Sequence, residues 1–285
     1  MTVKHRRPLE IHQFVYYAFL VITAVIMLVP VVWMASASFD RVNSYALPFP
    51  PHFIPHNPSL FNYEMVIVNM KIFMYIKNTV LVALYSQALL MLIIPMAGFA
   101  FSKGSFPLKS LLLLCIMSSM MVPFETKITP IYMLCRSLGL TNTLTGVVIP
   151  GVLTSSLYIF LCKKFFDDLP NELMESAGMD GASRLRVYLQ IYLPLIGPAI
   201  ATMSVLNVMG VWNDLLWPMI VINKQELFTI QVGLAMTTSS GSDAISKHAG
   251  MSTAAAMLSI IPLALVFIFL QRYIVQSVAV SGIKQ

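Results

Sequence analysis

The side chains able to do chemistry in this chain are few and gathered in two places. One is residues 172–194, ELMESAGMDGASRLRVYLQIYLP, which carry three acids and two arginines although only 11% of the chain is charged. The other is the run from Asn207 to Asp214. There Asn207, Gly210 and Asp214 recur at i, i+3, i+7 and share one helix face, with Trp212 and Asn213 beside its end. Such a face lines a polar pathway or makes polar contact with a neighbouring helix, and for Asn207 alone the helix contact is favoured. Neither place reads as a catalytic centre. No GxSxG or HExxH occurs, no histidine falls inside an apolar run, and no GxxxxGK[ST] is present to hold a nucleotide. No catalytic residue and no metal ligand is expected. Cys115, Cys135 and Cys162 form no CxxC and read as buried apolar thiols, and the 20 methionines as packing or lipid-facing side chains.

The elements that must hold these places are apolar. Of 285 residues 58% are hydrophobic, and the mean hydropathy is +0.79, more than a soluble fold of this length can cover. The net charge of +6 is a small excess without clustered Lys/Arg, so nucleic acid is not an expected partner and membrane lipid is. Charge-free runs cover residues 14–39, 78–102, 137–162, 187–213 and 249–271, each long enough to cross a hydrocarbon core. A shorter run, 110–124, is lengthened by snorkelling ends. The expected fold class is therefore all-α integral membrane, with six spans at about 14–38, 78–102, 108–130, 140–162, 190–220 and 250–272. The first run far exceeds a signal-peptide core and reads as an uncleaved span.

Lys/Arg counting orients the spans. One side holds both termini and the loops at 103–109 and 163–186, with eleven Lys/Arg; the other holds seven in a longer total length. Residues 1–13 and 277–285 are thus expected in the cytoplasm, flanking a transmembrane domain at 14–276. The polar loop at about 168–194 hangs on the cytoplasmic side between spans four and five. An ion-coupled pump normally places titratable groups at membrane depth, and here Lys77 and Asp214 fall at span edges. Energy for uphill movement must then enter from another chain.

Within the loop, Asp168 and Pro170 signal a first helix. Leu173, Met174, Ala177 and Gly178 form its narrow apolar stripe, with Glu172 and Glu175 pointing elsewhere. Gly181 permits a sharp bend, and Asp180 is placed to cap a second helix from Ala182 through Tyr188 and Tyr192. Periodicity leaves two readings open: a docking helix seated in another protein's groove, or an interfacial helix with its charges in solvent.

Glu175-Ser176-Ala177, Gly181, Ile191 and Leu193-Pro194 closely resemble the EAA-x3-G-x9-I-x-L-P signature of binding-protein-dependent ABC importer permeases. Ser176 stands where that family usually has Ala, a small-for-small change. Asp180-Gly181-Ala182-Ser183, Pro198 and Trp212-Asn213-Asp214 are similar to carbohydrate-type permeases, including the six-span maltose-system subunit. The C-terminal Ser281-Gly282-Ile283-Lys284 is similar to that subunit's ending, with Ser277 in place of an expected glycine.

The resemblance implies a sugar importer of the bacterial cytoplasmic membrane working by alternating access. Its other parts are a second related permease, a pair of ATP-binding subunits and an extracytoplasmic sugar-binding protein. ATP and Mg would be bound by the ATPase subunits, and this chain would hold no cofactor. The first loop helix would be a coupling helix, with Glu175, Ser176, Ala177, Asp180, Gly181, Ile191, Leu193 and Pro194 as coupling positions. Residues 223–252 would face the binding protein, and Gly282 and Lys284 would reach the ATPase interface. Asn207, Gly210, Trp212, Asn213 and Asp214 would be candidates for sugar contact, since amides and carboxylates match hydroxyls and aromatics stack on sugar rings. An ion-coupled secondary transporter is the alternative, disfavoured by the nearly charge-free spans.

Overall fold

The computed structural model describes residues 11–41, 50, 52–239 and 249–282. Every regular element among them is helical. In chain order these are α1 (Ile11–Phe39), α2 (Phe61–Asn69), α3 (Ile72–Lys103), α4 (Lys109–Met121), α5 (Phe124–Ser137), α6 (Leu144–Leu153) and α7 (Ser156–Asp167). There follow α8 (Glu172–Met179), α9 (Arg184–Val187), a π-helical turn (Tyr188–Tyr192), α10 (Leu193–Leu195), α11 (Gly197–Asn213) and α12 (Leu216–Val221). A 3-10 turn (Gln225–Leu227), α13 (Ile230–Ser239) and α14 (Ala249–Gly282) close the order.

Three unbroken stretches have the length and composition to cross a membrane: Gln13–Phe39, Ile72–Lys103 and Ala249–Ile268. Three more candidates are bent pairs, giving up to six spans if each pair counts as one. Each bend has a local cause. Between α4 and α5 the axis turns by 112° at Pro123, whose ring cannot continue the preceding helix. Between α6 and α7 it turns by 47°, where the Thr154 hydroxyl joins its own N–H on the Pro150 carbonyl, while the Ser155 hydroxyl donates to the Gly151 carbonyl and the Ser155 N–H turns to Val152. Between the α9–α10 stretch and α11 it turns by 76° at Gly197-Pro198.

The chain divides into two compact units. In the first, drawn from Met1–Lys71 and Met236–Leu258, a polar knot follows α1. The Asp40 carboxylate accepts the backbone N–H of His56 at 2.9 Å and of Asn57 at 3.2 Å. The buried Asn62 amide donates to the carbonyls of Ser38 and Asp40. Gly250 lies so close to Asn62 that a Cβ there would come within 2.7 Å of the amide nitrogen.

The second unit, Ile72–Ala235 with Ser259–Gln285, is built around α3. At Gly98 α3 meets α7 so closely that a Cβ would sit 2.7 Å from the Cβ of Cys162. Two apolar clusters result. One gathers Leu90, Ile94, Cys162, Phe166, Ala177, Tyr188, Tyr192 and Met203. The other gathers Val82, Cys135, Val147, Val152, Trp217 and Val221. Cys135 and Cys162 are buried as expected of apolar thiols, whereas Cys115 is exposed on α4, which buries none of its residues.

Candidate functional site

The polar loop folds as two helical pieces, but its caps differ from those expected. Asp168 does not start the first piece. It ends α7, where it pairs with Lys164 one turn earlier at 3.6 Å, and α8 begins only after Asn171. The second piece begins at Arg184, not Ala182, and its cap is Ser183, whose hydroxyl accepts the N–H of Arg186. A serine and an aspartate at neighbouring positions compete for this role, and Gly181 decides it. Its φ of +74° swings the chain so that the bend falls one residue later than Asp180 would need.

The apolar stripe of α8 faces this chain's own core. Ala177 is 7% exposed, and Leu173 and Met174 pack with it against Phe166 and Tyr192. Ile191 and Leu193 join the same cluster, and the Tyr192 hydroxyl donates to the Pro170 carbonyl at 2.9 Å. Glu172, Glu175, Ser176, Gly178, Asp180, Gly181 and Pro194 are exposed. So is Met179, at 85%, which pattern reasoning passed over. The motif is therefore divided: Ala177, Ile191 and Leu193 shape the loop from within, while Glu175, Ser176, Asp180 and Gly181 form its outer face.

Beside that face lies a groove of about 490 Å³ lined by Ser102, Lys103, Asp167, Asn171, Met174 and Glu175. The Lys103 ammonium donates to the Leu169 carbonyl and to Asn171 Oδ1, both at 2.7 Å. Ser102 donates to Asp167 Oδ1 at 2.7 Å, and Lys163 bonds the other carboxylate oxygen at 2.5 Å. Asp167 stands past the charge-free run. Partial burial pushes its carboxyl up, but the hydrogen bonds from Lys163 and Ser102, with the nearby positive charges, hold it below the usual carboxylate range.

The second place forms a cavity of about 390 Å³ inside the second unit. Asn207, Gly210, Asn213 and Asp214 line it together with Ser86, Phe124, Thr154, Tyr158, Trp217 and Thr229. Trp212 does not. It is 3% exposed and its Nε1 donates to the Ser259 carbonyl, so it serves packing. Asn207 is bonded on both sides: Ser86 donates to its Oδ1, and its Nδ2 donates to Gln87, which in turn donates to Ser204. Asp214, one residue before the N-cap position Leu215, accepts the N–H groups of Leu216 and Trp217 in the first turn of α12. The Thr229 hydroxyl is buried without a hydrogen-bond partner among the described residues. Ser86, Thr154 and Thr229 were missed because single hydroxyls on apolar helices give no periodic signal. Of the tail positions, Gly282 ends α14 and Lys284 lies outside the described residues.

The model of one protein family, described as "Binding-protein-dependent transport system inner membrane component", matches residues 90–280. The arabinooligosaccharides transport system permease protein AraQ of Halalkalibacterium halodurans is 32% identical over 208 residues, 73% of this chain and 72% of the relative. The lactose transport system permease protein LacG of Rhizobium radiobacter is 28% identical over 97% of both chains. Among solved structures, a bacterial ABC transporter involved in the import of the acidic polysaccharide alginate contains a chain with the same fold. The TM-score is 0.80 at 24% identity, over 95% of this chain and 99% of that one.

Proposed function

The chain belongs to the family of binding-protein-dependent transport system inner membrane components and is a multi-pass permease subunit of such a system; from that premise we propose that it carries a sugar or oligosaccharide inward, driven by ATP hydrolysed on a separate subunit. The names of the relatives, which transport arabino-oligosaccharides and lactose, support the sugar class.

In this reading the three unbroken helices, the bent pairs α4–α5 and α6–α7, and α11 are the six spans, and both termini and the 168–194 loop lie in the cytoplasm. The loop's α8 is the coupling helix. A partner ATPase with its ATP and Mg contacts Glu175, Ser176 and Asp180 on the exposed face, Gly181 sets the turn, Ala177, Ile191 and Leu193 hold the helix to the bundle, and the exposed Pro194 marks where the loop returns to it. The tail at Gly282 and Lys284 reaches the same subunit. A second permease completes the pathway, and an extracytoplasmic sugar-binding protein delivers to the side of residues 223–252. The observation that carries the reading is α8 itself. Its apolar stripe is already spent inside the chain, so its charged face stands free in water instead of lying on lipid.

The cavity around Asn207, Gly210, Asn213 and Asp214 is the segment of the sugar path that this chain lines. Amide, hydroxyl and carboxylate groups there match hydroxyls, and Trp217 and Phe124 offer apolar surface. The test is uptake by the complete assembly in proteoliposomes. ATP-dependent accumulation of a neutral disaccharide, indifferent to collapse of ion gradients, is expected. Accumulation that survives ATP depletion and stops with the gradient would establish the ion-coupled alternative.

A further inference from the structure

We propose that α3 is the transmission rod of this permease, and that Lys103 and Asn78, at its two ends, are the positioning residues through which binding-protein docking on one face is felt by the ATPase on the other. The proposal rests on the reading of α8 as the ATPase-facing helix and of the segment after Asn223 as the binding-protein side.

Every part of the rod lies within the second unit. At one end the first turns of α3 grip the segment that follows α12. The buried Asn78 amide donates to the carbonyls of Glu226 at 2.8 Å and Phe228 at 3.0 Å. One residue on, Thr79 Oγ1 accepts the N–H of Ile230 at 2.8 Å, the first residue of α13. Tyr75, 1% exposed, accepts a bond from Gln225, and its ring lies where a side chain on Gly233 would be, 2.2 Å from an added Cβ. Three side chains within five residues of one helix thus fix residues 225–233. Movement of that segment must carry α3 with it or break several hydrogen bonds that are buried or partly buried.

At the other end α3 grips the base of the loop. Lys103 spans from the last turn of α3 to the Leu169 carbonyl and the Asn171 side chain, immediately before α8, with its ammonium 5.7 Å from the Tyr192 ring centre. Ser102 adds the bond to Asp167. The two grips are 25 residues apart in a single helix, about 38 Å at 1.5 Å per residue. Between them Ser86 and Gln87 tie α3 to Asn207 and Ser204, beside the cavity. None of these α3 residues belongs to the loop motif. Their common property is that each is a polar side chain of α3 bonded to another element, and the two end groups address the two sites that must communicate.

The complete importer in proteoliposomes, with its partner permease, ATPase and binding protein, tests this through ATP hydrolysis measured with and without sugar-loaded binding protein. For Lys103→Met we expect the ATPase to co-purify normally, basal hydrolysis to stay within about twofold, and stimulation by the binding protein to fall about tenfold. Lys103→Arg, which keeps donors at the tip, should restore most of it. Asn78→Leu should produce the same loss from the opposite end, and the double variant should be no worse than either single one, as two cuts in one rod require. Full stimulation in Lys103→Met would overturn the proposal, as would losses that multiply in the double variant. Loss of the ATPase itself from Lys103→Met would also overturn it, making Lys103 a docking residue. Glu175→Lys separates the premise from the proposal: if that variant retains the ATPase, the reading of α8 fails.

Discussion

Gly181 has a φ of +74° with nothing within 4 Å of where a Cβ would stand, so its requirement for glycine is purely one of backbone conformation. An L residue in the left-handed region costs about 1–2 kcal/mol, and the loop must bear it or turn differently. Gly181→Ala should insert and assemble with the partner permease normally while binding the ATPase roughly five- to thirtyfold more weakly, as read by titration of the detergent-solubilised subunits. Asp214 calls for a different pair of substitutions, because its carboxylate both accepts the first N–H groups of α12, as a capping side chain does, and faces the cavity. Asn is as good a cap as Asp, so Asp214→Asn should leave the thermal unfolding midpoint nearly unchanged and still lower sugar uptake. Asp214→Ala should lower uptake and also cost about 1 kcal/mol of stability. Equal uptake in wild type and both variants would reduce Asp214 to a cap alone.

Among the elements, α3 and α7 show how much of the architecture depends on one missing side chain. With the Cβ of Cys162 only 2.7 Å from where a Gly98 Cβ would lie, Gly98→Ala must push two packed helices apart. The expected cost is about 1–3 kcal/mol, seen as a lower unfolding midpoint for the assembled complex, and Gly151→Ala, where space is open, should show no such change. This contact was not legible in the sequence, since Gly98 sits in a charge-free run like any other small residue. Long apolar helices were legible from the charge-free runs, and three of them, Gln13–Phe39, Ile72–Lys103 and Ala249–Ile268, have the length and composition to cross a membrane. The bends between the others were not, although Pro123, Thr154-Ser155 and Gly197-Pro198 were all in view. Hydropathy measures whether a segment prefers lipid and is silent about its axis. The loop fell between these cases. Gly181 stands at the expected turn, but α8 follows Asn171 and not Asp168, and the second piece follows Ser183 and not Asp180: several polar residues stand near each helix start, and at the second the left-handed backbone of Gly181 selects among them.

For the molecule as a whole, the account joins an ATP-dependent event at an exposed polar loop to a polar cavity within apolar helices. Its family and transport role rest on residues 90–280 and on relatives such as LacG, aligned over 97% of the chain's length. The division of the loop motif into an inward set and an outward set is what the structure adds. In it Ala177, Leu173 and Met174 are engaged within the chain, while Glu172, Glu175 and Asp180 are exposed. Met179, the last residue of α8, is 85% exposed. A photoreactive residue placed at position 179 in the complete assembly, irradiated in native membranes, tests the central claim most directly. The account predicts a covalent adduct with the ATP-binding subunit, whose yield changes when ATP is added. Adducts with lipid alone, at a yield indifferent to ATP, would contradict it.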